Sequence, residues 1–189
     1  MRLNSAICAI ALVLAGPAMA LPGPLRLAEV DVPKQAPVQR SLDEYAASIV
    51  GDDMFVLASA KLALQKSKSA ELRKFATLLI TSHTASGNQL KLTLARSSAH
   101  PVLPTMLDST HVAIPNQLKG ASGAEFDTRY IQQMIDSHEW ALELHQSYAR
   151  RGEDMGLKHF ATEAEARVAL HLAEAQKISH SLGGLQPRA

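Results

Sequence analysis

The sequence predicts an all-α fold, a bundle of four helices, and three observations carry that expectation. Aromatic residues make up only 4% of the chain, while Ala, Leu, Glu, Gln and Lys abound, a balance that favours helix over sheet. No run of alternating β-branched residues occurs anywhere. Leu157, Ala161, Ala164, Val168, His171, Ala175, Ile178 and Leu182 recur at steps of four and three. That spacing draws one stripe along a helix, the pattern of a face turned to the centre of a bundle.

Residues 1–20 read as an export signal peptide. Arg2 supplies the positive start, Ile7 to Ala15 the apolar run, and Ala18-Met19-Ala20 a small-x-small cleavage site before Leu21. The apolar run falls short of the ~20 residues a membrane span needs. The expected location is therefore the periplasm or the exterior, with no membrane span after cleavage. Cleavage removes Cys8, the single cysteine, so disulfide and thiolate chemistry are excluded from the mature chain. It also removes Arg2, which brings a formal charge of +1 to about zero. A balanced surface lacks the clustered Lys and Arg of a nucleic-acid-binding protein, so no nucleic-acid partner is expected. About 169 residues remain, enough for one domain with a real core.

Residues 21–40 contain Pro22, Pro24, Pro33 and Pro37, too many for a helix or a central strand; this stretch is expected to be a Pro-rich linker. The bundle is expected over 41–182. Ser41-x-x-Glu44 is a capping-box pattern that opens a short helix, with Gly51 expected to interrupt it. Asp52 or Asp53 then caps a first long helix ending near Ser67. The second helix follows Ser69 and carries a seam of Leu72, Ala76, Leu79, His83, Ser86, Leu90 and Thr93 to about Ser97. His100-Pro101 stops it, because proline disfavours helical geometry at the residue before it.

Pro104 and Pro115 keep residues 99–121 irregular, apart from a short turn near Pro115 to Lys119. Ser122-x-x-Glu125 repeats the capping-box pattern and opens a third helix, which Gly152 ends after Arg151. Asp154 caps the fourth, and Gly183-Gly184 closes it. Residues 183–189 form a flexible tail. Leu72-Arg73-Lys74-Phe75-Ala76-Thr77 matches Leu157-Lys158-His159-Phe160-Ala161-Thr162 at an offset of 85. Two similar hairpins joined by a long crossover is a ferritin-like layout.

The informative residues are histidines on apolar stripes. His83 lies on the second helix and His171 on the fourth. The third carries Ile131, Met134, His138, Ala141, His145 and Tyr148. At ~1.5 Å per residue, His83, His138 and His171 each sit ~21 to 26 Å along helices of ~42 Å, close to mid-height. An unsatisfied buried polar group costs ~1–3 kcal/mol against a total margin of ~5–15 kcal/mol, so these rings need partners. Two readings stand. In one, hydrogen bonds to Asp53, Tyr130, Tyr148, Ser86 or buried water satisfy them. In the other, His83, His138 and His171 hold a transition-metal ion (copper, zinc or iron), with Met134, His145 and Asp53 as additional candidates. Neutral imidazole is the commonest protein metal ligand, and a thioether at Met134 suits copper. Rings more than ~11 Å apart, two helical turns, exclude a shared ion. His100, His111, His159 and His180 fall on loops or outer faces.

Ordinary enzyme chemistry finds no support. A di-iron carboxylate bundle needs Glu-x-x-His on two helices, but Ile80, Ile135, Leu142 and Val168 stand three residues before His83, His138, His145 and His171. Helix one offers Ala58, Ser59 and Ala60 where a glutamate belongs. There is no Gly-rich phosphate loop, no Gly-x-Ser-x-Gly and no His-Glu-x-x-His. Glu163 and Glu165 read as solvated charges, and Asp127 as support for the first turn of helix three. No catalytic residue is expected.

Phe75-Ala76 followed by His83, Phe126-Asp127-x-x-Tyr130 with Met134 and His138, and Phe160-Ala161 followed by His171-Leu172-x-x-Ala175 form an ordered set. From about Asp53 to Ile178 the chain resembles domain-of-unknown-function family 4142, secreted bacterial proteins of ferritin-like fold. The resemblance implies a four-helix bundle outside the cytoplasm and supplies no established activity. Members usually carry an acidic residue before the first histidine and a glutamate in helix one; here Ser82 and Ala58 leave fewer anionic ligands. The outer-membrane label common in that family does not suit a chain without the alternating strands of a β-barrel. The expected function is an accessory protein of the cell envelope, a binding or stress-protection module, with an envelope partner of unknown identity. A metal-dependent redox enzyme and a purely structural bundle are the alternatives.

Overall fold

The computed structural model describes residues 40–97, 100–107 and 118–183. Their helices are α1 (Leu42–Lys66), α2 (Ala70–Leu94), α3 (Gly123–Arg151) and α4 (Met155–Ser181), with one further short helical turn at residues 118–120. The expected signal peptide, nearly all of the linker, and the tail beyond Gly183 lie outside the described residues.

Local chemistry sets the helix ends. Ser41 and Glu44 form both halves of the capping box: the Ser41 hydroxyl accepts from the Glu44 N–H, and the Glu44 carboxylate accepts from the Ser41 N–H. Asp154 caps α4 by accepting from the Leu157 N–H at 2.8 Å. Gly152 ends α3, and glycine is required there because an added Cβ would lie 2.5 Å from the Tyr148 ring.

Two expectations at helix ends are corrected. Gly51 does not interrupt the first helix; α1 runs unbroken through it, and neither Asp52 nor Asp53 is a cap. A glycine inside a helix costs only ~1 kcal/mol. Tyr45, Ala46, Ile49, Phe55 and Val56 are all buried on the two sides of Gly51, which outweighs that cost. At the start of α3, the Ser122 side chain makes no cap bond, and Glu125 pairs with Arg129 at 2.7 Å instead.

Helix α1 packs on α2 and α3, and α4 packs on α3 and α2. Tyr45 meets His145 while Asp52 meets Ser137, so α1 and α3 run antiparallel. Glu71 meets Ser181 and Gln89 meets Glu163, so α2 and α4 do too. The order is up, down, down, up, so the end of α2 and the start of α3 lie at opposite ends of the bundle. The chain is thus two antiparallel hairpins joined by a crossover.

The apolar interior is divided. One cluster gathers Phe55, Phe75, Leu79, Phe126, Tyr130 and Met134. The other gathers Tyr45, Ile49, Leu90, Tyr148, Leu157 and Phe160. The repeated Phe-Ala pairs fall one in each cluster, because α2 and α4 start from opposite ends. His83, His138 and His171 belong to neither cluster.

Candidate metal centre

Three helices deliver the three rings. His83 on α2, His138 on α3 and His171 on α4 are all buried. Ring centroids stand 5.5 Å apart for His83 and His138, 5.6 Å for His83 and His171, and 5.5 Å for His138 and His171. This near-equilateral triangle is half the separation that excludes a shared ion. One ring nitrogen from each histidine lies within 4.8 Å of the other two.

Hydrogen bonds fix which nitrogens are free. His138 Nδ1–H donates to the Met134 carbonyl at 2.7 Å; a carbonyl only accepts, so the lone pair of the neutral ring rests on Nε2. His83 Nδ1–H donates to Asp53 Oδ1 at 2.7 Å, which leaves the lone pair on Nε2 in the same way. Among the described residues, His83 Nε2, His138 Nε2 and His171 Nδ1 are buried with no hydrogen-bond partner.

Electrostatics keeps His138 and His171 uncharged. Burial, with the neighbouring His83 and His171, pushes His138 down to about 3. Burial, then His83 and Arg167, lowers His171 to about 4. At neutral pH both rings therefore offer lone pairs rather than protons. Three ligands at ~2.0–2.1 Å from one ion stand ~3.5 Å apart, so about an ångström of closure separates this triangle from a ligand set.

The additional candidates take different places. Asp53 orients His83, and its Oδ2 lies 3.7 Å from where a Cβ on Gly87 would stand. Met134 is fully buried in an apolar cluster, and its carbonyl is the contact to His138. His145 is not one of the three grouped rings, although it lines the same cleft as His83 and His171. Its Nδ1 is 2.8 Å from the Tyr45 hydroxyl, and burial, with Arg167 and His83, pushes it down to about 3. Of the other hydrogen-bond partners considered for the triangle, Ser86 accepts from Arg167, and the Tyr130 and Tyr148 hydroxyls bond to no histidine. His100, His159 and His180 are exposed as expected; His111 lies outside the described residues.

Sequence reasoning missed Tyr45 and Arg167. Tyr45 stacks on Tyr148 at 3.9 Å and bonds His145. An unbroken α1 was the signal that could have placed it on the same rod as Asp53. Arg167 sits one turn before His171, a four-residue spacing visible in the sequence. It lines a cleft with His83 and His171.

Residues 28–178 match the family model described as domain of unknown function DUF4142. The chain belongs to this family. The DUF4142 bundle is also similar to solved structures. A DUF305 protein from Streptomyces coelicolor, described as secreted, shares 13% identity at a TM-score of 0.64, over 79% of this chain and 98% of its own. CopM in its Cu(II)-bound form shares 18% at 0.65, over 76% and 98%. CopM in its Cu(I)-bound form shares 17% at 0.64, over 77% and 100%. At these identities the likeness establishes a common fold. No curated protein matches the sequence significantly. Among the described residues of this DUF4142 protein, no helix is long and apolar enough to cross a membrane.

Proposed function

We propose that this protein is a transition-metal-binding accessory protein of the bacterial cell envelope, working in the periplasm or outside the cell, and that His83, His138 and His171 hold its metal. One observation carries the reading: three buried histidines from three helices bring one ring nitrogen each within 4.8 Å of the others, and each ring has a buried nitrogen without a partner among the described residues. Left empty, each costs ~1–3 kcal/mol. A shared cation converts that penalty into binding energy.

Copper is the ion the donors favour. Imidazole suits copper, zinc, iron and nickel, and Cu(II) binds most tightly among first-row divalent ions at a given nitrogen site. No carboxylate is in the triangle to favour a harder ion. The similarity to CopM, known in Cu(I)- and Cu(II)-bound forms, supports the same choice. Binding that keeps a reactive ion from free solution fits a protective role in the envelope, in concert with an envelope partner.

Copper titration of the purified protein against a competing chromophoric chelator tests this. The expected result is one copper per chain, abolished in His138→Ala and His171→Ala variants that keep their helical circular dichroism. A protein that takes up neither copper, zinc nor iron overturns the reading.

A further inference from the structure

His83 and His171 line a small cleft with a cavity volume of about 20 Å3. His138 is 1% exposed and does not line it. An ion held by the three rings is thus closed off on the His138 side and open toward the cleft. Three nitrogens fill three positions of a tetrahedral ion, and the fourth takes an outside ligand.

The cleft wall indicates what that ligand is. Arg167 lines it, with its Nη2 3.4 Å from the Ser86 hydroxyl. Asp52 and Asp53 line it as well. Asp52 accepts from Ser137 at 2.6 Å and Asp53 from His83, so each carboxylate already engages a neighbouring helix. Counted formally, a divalent ion and Arg167 against two carboxylates leave one net positive charge. A single monovalent anion cancels it, whereas a dianion overshoots.

From this charge balance and the open face we infer that the metal's fourth position binds a small monovalent inorganic anion from solution, with Arg167 as its second contact. The inference rests on the metal-binding reading above. Ile49, Ala141, Ala164 and Val168 furnish the apolar part of the cleft, where the attraction between Arg167 and an anion is screened less than in bulk water.

Azide added to the Cu(II)-loaded protein tests the inference, followed by its charge-transfer absorption and by electron paramagnetic resonance. Saturable binding is expected. Arg167→Gln should keep one copper per chain and weaken azide about tenfold or more, while Arg167→Lys, which retains the charge, should stay within about threefold of the parent. Copper signals indifferent to saturating azide, or equal azide affinity in Arg167→Gln, overturn the anion site and leave the metal site standing. Copper loss in Arg167→Gln also overturns it, since the arginine then serves the ligand frame. Failure of the parent protein to bind copper overturns both readings.

Discussion

His83 donates its Nδ1–H to Asp53 Oδ1 at 2.7 Å, bridging α2 to α1 in the layer between the two apolar clusters. Helix α1 adds no ring to the triangle, yet through Asp53 it sets which nitrogen of His83 is free. Carboxylate partners of this kind orient a metal-binding imidazole and raise its basicity. All four helices therefore contribute to one layer.

Asp53→Asn keeps the shape and removes the charge. It should retain one metal per chain and lower metal affinity by ~10–100-fold, measured by chelator competition. Unchanged affinity would mean that the contact only fills space.

His138→Leu separates a ligand role from a structural one. The metal-free variant should unfold at the same urea concentration as the parent or higher, by up to ~1 kcal/mol, because it loses a buried nitrogen without a partner. It should bind no metal. A stability loss above ~2 kcal/mol would instead show that the ring holds the bundle together.

Acid should destabilise the metal-free protein. His138 and His145 are pushed down to about 3 and His171 to about 4, from an ordinary 6.5. The unfolded chain takes up protons below pH 6.5 that the folded chain refuses. The stability these neutral rings contribute is therefore complete above pH 6.5 and falls as pH drops toward 4. Each ring contributes a slope of up to ~1.4 kcal/mol per pH unit. Urea midpoints at pH 7.5, 6 and 5 measure it, and a flat profile would contradict the buried neutral rings.

Tyr45→Phe removes the hydroxyl bonded to His145. A loss of ~1–2 kcal/mol is expected from the unpaired ring nitrogen, with metal binding intact. Loss of metal would place His145 among the ligands after all.

Gly51→Ala tests the continuity of α1. An added Cβ meets no atom within 4 Å, and alanine is the better helix former by ~1 kcal/mol. Thermal denaturation should show a stabilised protein; a destabilised one would mean that the helix needs a break there.

The stripes of α3 and α4 were legible in the sequence because burial repeats with the helical period. Every stripe position from Leu157 to Ile178 is buried, and the mid-height estimate brought His83, His138 and His171 to one layer. Gly51 misled because its local propensity was weighed without the packing of Tyr45 and Phe55 on the two sides of it. Tyr45 and Arg167 were invisible for a different reason. Their importance comes from which helices are neighbours, and periodicity along one helix carries no information about that.

X-ray absorption at the copper edge of the loaded protein addresses the shared-ion claim most directly. Three imidazole nitrogens at ~2.0 Å are the predicted first shell, reduced by one in His171→Ala. A shell of oxygen donors alone, or one that is the same in both proteins, would contradict a metal centre at this triangle.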